Sequence, residues 1–372
     1  MNDTEFMRDV LQRIATGPTL SKDLPREDAY RAMRIVLEGR ADDVQAGIFL
    51  IALRMKRETD EELAGILAAI NDGIQAQPVA VDHLVTVVDP YDGYLRGTPA
   101  APFLPAVLAA CGLRVLTHGV VSMGPKFGAS HESVLQAAGM TPPTDKQQVA
   151  RQLESDACGW AYVSQATIAP ELAALAPLRT RIVKRPCLTT IEVAINAFTP
   201  KVARHLVTGF VHKPYPPIYA LLAVEAGFAS SVLVRGVEGG VVPSLTQAAR
   251  YFTSTDGRAL AQVELDPAQV DIVQQERAVP LPAHLTNEEI RSVKSPDNPF
   301  AVELSKHAAQ LGLSALSGKH GYTRDSLVYA AAVILYAREQ AQSLSSAADM
   351  ARGALDNGSA LAHFRAVVAQ DH

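Results

Sequence analysis

The sequence predicts an α/β protein in which a small all-helical domain precedes a larger α/β domain with a mainly parallel central sheet flanked by helices. Residues 4–75 carry only helical patterns. Residues 84–139 carry a strand, a loop, a helix, a second strand and a second loop, which is the order of a βαβ unit. The chain has 372 residues, more than one hydrophobic core usually holds. We therefore expect two domains, residues 1–77 and 78–372.

The N-terminal domain is predicted from four short stretches with apolar residues at helical spacing. Pro25 suits the first turn of the second helix, and Asp42 or Asp43 can cap the third. Thr59 and Glu62 form a capping box that opens the fourth. The third helix, over residues 44–55, is apolar nearly all round. This pattern favours an interface between chains, although burial inside a larger core explains it about as well.

The larger domain begins with the βαβ unit. A strand over 85–88 ends in a polar loop at 89–93, and a helix over 100–110 leads to a second strand at 113–116. A second loop, 117–128, precedes a helix over 132–138. Residues 279–300 hold four prolines and are predicted to form a surface excursion. The remaining predicted elements are strands at 159–163, 206–211, 231–234 and 262–265, helices at 146–153, 170–175 and 218–226, and C-terminal helices at 301–311, 326–340, 346–357 and 359–369.

Composition restricts the functional classes. The net charge of -5 argues mildly against a protein whose whole surface binds nucleic acid, but a local basic groove remains compatible with it. Cys111, Cys158 and Cys187 are widely spaced, which favours free thiols in a reducing, cytoplasmic compartment. The sequence shows no signal-peptide pattern, no membrane-spanning apolar run, no metal-ligand cluster and no sequence signature of a nucleophilic triad.

Two loops follow the first two strands of the predicted sheet, at the edge where ligands usually bind. The loop 89–97 carries two carboxylates, two tyrosines and Arg96, although Asp-Pro and Asp-Gly are also ordinary turn formers. The loop 117–131 has three glycines for close backbone approach, Lys126, and Ser130 as a helix cap. These features suit an anion such as phosphate, although the loop is not a Walker loop. A lone histidine such as His118 is more often structural than catalytic.

A basic run extends over residues 178–213, with seven Arg or Lys against one Glu, a net charge of +6. Concentrated arginine suits the recognition of carboxylate or phosphate groups. A surface that follows a longer phosphate backbone is the competing use. For any single residue in the run, solvated surface charge is the simpler interpretation.

Several motifs together resemble a known family. The segments ADDVQAGIFLIALR (residues 41–54) and EELAG (residues 61–65) resemble the helical domain of anthranilate phosphoribosyltransferases, which pyrimidine nucleoside phosphorylases share. The family's "KHGN…S…SGSAD" loop is similar to residues 117–131, with His118, Gly119, Lys126 and Gly128 in register. The Ala-rich C-terminal helices also look like the family. The resemblance covers nearly the whole chain. It implies that a segment near 167–185 joins the helical domain, and that two chains form a homodimer through this domain.

The site departs from the family pattern. Residues 89–94, DPYDGY, stand where the family has a GTGGD-type loop for the pyrophosphate of phosphoribosyl pyrophosphate. Val120 replaces an asparagine and His131 an aspartate. Val241 and Val242 stand where an Asp-Glu pair should hold magnesium, and valines cannot ligate a hard cation. We therefore do not expect the usual magnesium site.

The resemblance implies a glycosyl or phosphoribosyl transferase-like enzyme with altered substrates, related by similarity to tryptophan biosynthesis. It assigns no general base. With these departures the chain looks like a divergent branch of the family, in which at least one member is implied to bind nucleic acid without catalysing the transfer. The alternative is therefore a non-catalytic homologue that binds nucleic acid or a phosphorylated metabolite. The expected contacts with the donor anion are Asp89, Tyr91, Asp92, Gly93, His118, Gly119, Lys126, Gly128 and Ser130, and those with an acidic acceptor are Arg179 and Arg185.

Overall fold

The computed structural model describes residues 2–17, 19–255, 257 and 259–370. Four helices form the N-terminal part, and their caps explain where they begin. Asn2 and Glu5 make a capping box at the first, Asp42 caps the third, and Thr59 with Glu62 makes the predicted capping box at the fourth. Pro25 lies one residue before the second helix begins. The bounds are α1 Asp3–Ile14, α2 Arg26–Leu37, α3 Asp43–Lys56 and α4 Asp60–Asp72.

A seven-stranded sheet forms the centre of the larger part. Its strands are β2 His83–Val88, β3 Val115–Gly119, β4 Trp160–Ser164, β6 Ala203–Phe210, β7 Ser230–Arg235, β8 Ala249–Thr255 and β9 Ala261–Leu265, while two short strands, β1 Gln77–Pro78 and β5 Phe198–Thr199, pair separately. The order in the large sheet is β4-β3-β2-β6-β7-β8-β9. The first five strands in this order are parallel and the last two are antiparallel. The predicted fold class is confirmed.

Helices cover both faces of this sheet, and alternate strand residues are therefore buried on opposite sides. Leu84 and Val88 of β2 belong to the core shared with the N-terminal helices, whereas Val85 and Val87 belong to the core shared with the C-terminal helices. The helices are α5 Leu104–Ala110, α6 His131–Ala137, α7 Lys146–Glu154, α8 Gln165–Ile168, α9 Pro170–Ala173, α10 Ala176–Ile182, α11 Leu188–Ile191, α12 Tyr215–Glu225, α13 Asn287–Ser292, α14 Pro299–Leu316, α15 Tyr322–Ala337, α16 Leu344–Asp356 and α17 Ser359–Ala369.

Three predictions of local structure were wrong. β3 continues to Gly119, so Thr117, His118 and Gly119 lie in a buried strand rather than in a loop. β8 was not predicted at all. Residues 279–300 are more than a surface excursion, because they contain α13 and bury Leu285 and Ile290 in a small apolar cluster. In each case tertiary burial outweighs the local signal of polar residues, glycine or proline.

The segment containing α8 to α10 packs against the N-terminal helices. Arg34 of α2 pairs with Glu171 of α9 at 2.8 Å, and Leu178 of α10 lies beside Gly47 of α3. The outward face of α3 exposes Val44 to 69% and Met55 to 77%. The division of the chain at residues 77 and 78 stays a prediction. Within the described residues, no helix is both long and apolar enough to cross a membrane.

Candidate anion-binding cleft

The loops after β2 and β3 lie against each other at the carboxyl edge of the sheet. The backbone N–H of Gly128 donates to the carbonyl oxygen of Asp92 at 3.0 Å, and Tyr94 and Ala129 exchange two further hydrogen bonds. A Cβ on Gly93, whose φ is +76°, would lie 2.6 Å from the carbonyl carbon of Gly128. These glycines therefore allow the two loops to approach each other.

Asp92 is the centre of a charge cluster at this edge. Its carboxylate is almost fully buried, and Oδ2 accepts hydrogen bonds from Arg185 Nε at 2.9 Å and Nη2 at 2.6 Å. Lys126 Nζ lies 3.2 Å from Oδ1 of the same carboxylate and donates to the carbonyl oxygen of Gly93 at 2.7 Å. The structure thus brings together Asp92, Gly93, Lys126 and Arg185, four of the residues predicted for the site.

Glu238 completes this cluster, and the sequence argument missed it as a site residue. It follows β7 with a left-handed φ of +52°. Its carboxylate accepts from the backbone N–H of Arg96 at 2.7 Å and of Leu95 at 3.2 Å, and it lies 4.0 Å from Lys126 Nζ. The only sequence signal for it is its place between glycines in the segment 236–240.

Two adjoining cavities open beside the charge cluster. The larger has a volume of about 750 Å³ and is lined by seven Arg or Lys side chains and one carboxylate, that of Glu238. The smaller, about 130 Å³, is lined by Tyr91, Asp92, Thr190 and Thr208 among others. Both share Arg54, Lys126, Arg185 and Glu238. A cleft with this excess of positive charge suits an anionic ligand. The basic residues of the larger cavity are Arg54, Arg96, Lys126, Lys184, Arg185, Arg291 and Lys294.

Asp89 lies beneath the loop rather than on the wall of either cavity. Its carboxylate is buried and accepts from Tyr94 Oη at 3.0 Å and from the backbone N–H of Val241 at 3.1 Å. Burial raises the pKa of the Asp89 carboxyl to about 6, although these two hydrogen bonds and Lys126 act in the opposite direction. This geometry gives Asp89 a part in joining the loop after β2 to the segment after β7.

A buried group of rings lies behind the cleft. Tyr91 Oη is hydrogen-bonded to His118 Nδ1, and His131 stacks on Tyr162, whose hydroxyl donates to Glu132 at 2.7 Å. Burial lowers the pKa of both His118 and His131 to about 3, with a smaller contribution of His118 to that of His131, so both imidazoles are neutral at pH 7. Neither histidine lines the two cavities. Gly119 ends β3 and packs near the hydroxyl of Tyr162.

Ser130 is the N-cap of α6, as predicted. Its hydroxyl accepts from the backbone N–H of Ser133 at 3.0 Å and donates to the carbonyl oxygen of Val121 at 2.9 Å. Its hydroxyl is therefore engaged within the loop.

The two arginines predicted for the acceptor are placed very differently. Arg185 lines both cavities and is 45% exposed. Arg179 is buried, and its guanidinium donates to both carboxylate oxygens of Glu192 at 2.6 and 3.1 Å. A direct ligand contact with Arg179 would need this pair to part, so its acceptor role stays a prediction.

Val241 and Val242 are both buried among apolar residues. Their side chains therefore offer a cation no oxygen donor. In the part of the chain that the structure describes, no group of three or more His, Cys, Asp and Glu side chains could hold a metal ion.

Comparison with known families agrees with this architecture. The helical bundle domain of the glycosyl transferase family matches residues 8–72, and the α/β domain of that family matches residues 101–361. The chain therefore belongs to this glycosyl transferase family, and the resemblance seen in the sequence is confirmed.

Its relatives make the placement more specific. The chain is 25% identical over 358 residues to an anthranilate phosphoribosyltransferase of Aquifex aeolicus (strain VF5), with 96% of each chain covered. It is 30% identical over 242 residues to an uncharacterized protein of the same organism, covering 63% of this chain and 71% of the relative. The protein is thus phosphoribosyltransferase-like.

Solved structures share the fold. Anthranilate phosphoribosyltransferase from Saccharomyces cerevisiae in complex with PRPP and Mg has a TM-score of 0.76 at 15% identity, covering 100% of this chain and 98% of that one. The enzyme from Thermus thermophilus has a TM-score of 0.70 at 19% identity, covering 98% of this chain and 99% of that one. At these identities the likeness shows the fold alone.

Proposed function

We propose that this protein transfers a pentosyl group from an anionic donor, with phosphoribosyl pyrophosphate (PRPP) as the first candidate. The observation that carries the proposal is the cavity of about 750 Å³ with seven basic side chains and one carboxylate, in a chain of this family. The cavity lies at the carboxyl edge of a mainly parallel sheet, where such folds bind ligands.

The donor's diphosphate would lie against Lys126 and Arg185, with the backbone of Gly93 and Gly128 close behind. Transfer from such a donor develops positive charge on the sugar ring, so positioning and charge stabilisation supply most of the catalysis. The carboxylates of Asp92 and Glu238 border the cavities and could face that charge. We assign no general base.

The acceptor would enter through the wider cavity. Arg185 lines both cavities, so its remaining N–H groups could contact an acidic group on the acceptor as well as the donor's diphosphate. Arg179 is proposed to contact the same acidic group after it separates from Glu192. The rebuilt loop at 89–94 supports a substrate specificity different from that of the anthranilate enzymes, because it replaces glycine turns with the bulk of Pro90, Tyr91 and Tyr94. The same reasoning supports a reaction that does not use the family's acidic pair for magnesium.

A release assay tests the proposal. The full-length protein is incubated with PRPP and a panel of aromatic and heterocyclic carboxylic acids and amines, and released pyrophosphate is measured. We expect at least one acceptor to stimulate release, and Arg185→Gln to reduce it by about tenfold or more through loss of a charged hydrogen bond. Arg250→Gln, on β8 and outside the lining of both cavities, is the matched control. If no acceptor in the panel increases the release of pyrophosphate from PRPP, the proposal is contradicted.

We also propose that two chains pair through the outward face of α3. The exposed side chains of Val44, Ile48 and Met55 support this, because they recur at helical spacing on α3 and large apolar side chains on one face favour burial against a partner. Sedimentation equilibrium should give a dimer, and Met55→Glu should give a monomer. A wild-type monomer at micromolar concentration would contradict it. The free thiols of Cys111 and Cys187 support the proposed cytoplasmic placement.

A second candidate function is favoured by one observation. Arg96, Lys184, Arg291 and Lys294 line the wide cavity and have no ion-pair partner within 4 Å among the described residues. Unpaired cations that line one cavity could bind the backbone of a single-stranded nucleic acid, although the net charge of -5 weakens the idea. Affinity for single-stranded DNA that falls steeply with salt would support this function, and no binding at low salt would exclude it.

A further inference from the structure

Lys126 holds its ammonium group among oxygen atoms in a way that resembles the surroundings of a bound cation. Nζ lies 2.7 Å from the carbonyl oxygen of Gly93, 3.2 Å from Asp92 Oδ1 and 4.0 Å from Glu238 Oε2. The side chain is only 15% exposed. Oxygen atoms of two acidic side chains and one carbonyl group thus surround one positive charge at the wall of the cleft.

The backbone around this position is arranged to hold these oxygens in place. Glu238 adopts a left-handed φ of +52°, which non-glycine residues rarely do, and its carboxylate is fixed by the N–H groups of Leu95 and Arg96. Asp92 is fixed from the other side by two hydrogen bonds from Arg185. Both carboxylates are therefore oriented by groups other than Lys126.

The charges within this group cancel. Lys126 and Arg185 carry two positive charges, and Asp92 and Glu238 carry two negative charges. A divalent cation held by two carboxylates has the same balance. The difference is that here the positive charges are covalently part of the chain and remain when metal ions are removed. An ammonium has three N–H donors, and Gly93 and Asp92 use two of them, so one can reach an anion in the cavity.

A magnesium ion does not fit the position that the family relationship implies for it. Val241 and Val242 are buried and carry no side-chain oxygen. A magnesium ion brought instead to Asp92 and Glu238 would meet the ammonium of Lys126, which already lies between them. Two cations so close together would repel each other strongly in a partly buried site.

We propose that Lys126, held by Asp92 and Glu238 and assisted by Arg185, is the fixed cation that binds the donor's diphosphate in place of a magnesium ion, so that donor binding is independent of metal. This inference rests on the proposed function. It adds a specific property, which is that the ammonium of one lysine replaces the metal. It also accounts for one departure from the family pattern, the valines that stand in place of the acidic pair.

The test is a calorimetric titration of the full-length protein with PRPP, once in magnesium and once in EDTA. We expect the two dissociation constants of wild type to be similar, because the proposed binding does not use a metal ion. A difference of up to about threefold is allowed, since buffer magnesium also binds free PRPP. Lys126→Met removes the charge and keeps the length, and should weaken binding in EDTA by about tenfold or more. In this variant Asp92 and Glu238 are released to bind a divalent ion, so magnesium should restore part of the affinity.

Two further variants keep the test decisive. Lys126→Arg retains the charge and should bind PRPP in EDTA within about tenfold of wild type. Lys306→Met makes the same chemical change on an exposed part of α14 away from the cleft, and should leave binding unchanged. A thermal melt of each variant identifies any that has lost its fold.

The outcomes separate this inference from the function on which it rests. Wild-type binding that requires magnesium would overturn the inference and leave the transferase proposal standing. Equal affinity of Lys126→Met and wild type in EDTA would also overturn it. If PRPP does not bind wild type in either buffer, both the inference and the proposed donor fail.

Discussion

Asp89 offers a test of the electrostatics beneath the cleft. Burial raises the pKa of its carboxyl from 3.8 to about 6, and the folded protein therefore binds the proton more tightly than the unfolded chain does. The stabilisation from this group is complete below pH 3.8 and is lost as the pH rises through 6. A shift of about 2 units corresponds to about 3 kcal/mol of unfolding free energy.

The perturbation is Asp89→Asn, which removes the titration but keeps hydrogen-bonding atoms for Tyr94 and the N–H of Val241. Urea unfolding of variant and wild type is measured at several pH values from about 4 to 7.5. Other groups titrate in the same interval, but they cancel when the two proteins are compared at each pH. We expect the variant to gain up to about 3 kcal/mol relative to wild type between pH 4 and pH 7.5.

The exposed Asp297→Asn is the control, since it makes the same chemical change away from the core. Its difference from wild type should vary little with pH. If the difference between Asp89→Asn and wild type were constant over this pH range, or grew more favourable at acid pH, the burial argument for Asp89 would be wrong.

Three further changes test the packing and charge described above. Gly128→Ala should lower the unfolding free energy by about 2 kcal/mol or more, because the added Cβ would overlap the backbone of the facing loop. Gly353→Ala in α16, where the added Cβ has open space, should raise the unfolding free energy by about 0.5–1 kcal/mol in the same urea experiment. Glu192→Gln should cost about 3–5 kcal/mol because it leaves the buried charge of Arg179 uncompensated, and a loss under about 1 kcal/mol would contradict that account. Burial lowers the pKa of His131 to about 3, so the stability that this residue contributes is present above pH 6.5 and is lost as the pH falls toward 3. His131→Phe should therefore gain stability relative to wild type on acidification. A pH-independent difference between the two proteins would show that the ring is not buried and neutral.

Much of the fold could be predicted because its signals are local. The capping box of Thr59 and Glu62 and the apolar spacing of the N-terminal helices determine elements without reference to distant residues. The end of β3 could not be placed, because His118 and Gly119 belong to the strand only through their pairing with β4. β8 was missed since its residues are recognisable as a strand only once β7 lies beside it.

The site was predictable in parts but not as an arrangement. Asp92, Lys126 and Arg185 each followed from the local pattern or the family resemblance. Their contact did not, because Asp92 and Arg185 are 93 residues apart in the chain. Glu238 comes still later in the chain than Arg185, and it reaches the cluster through a left-handed backbone conformation that no sequence pattern indicated.

The central claim is that the basic cleft at the carboxyl edge of the sheet holds the diphosphate of a pentosyl donor. A crystal structure of the protein grown with PRPP in EDTA tests it most directly. The account predicts diphosphate oxygens within hydrogen-bond distance of Lys126 Nζ and the guanidinium of Arg185. Density for the ligand elsewhere on the surface, or an empty cleft at millimolar PRPP, would contradict it.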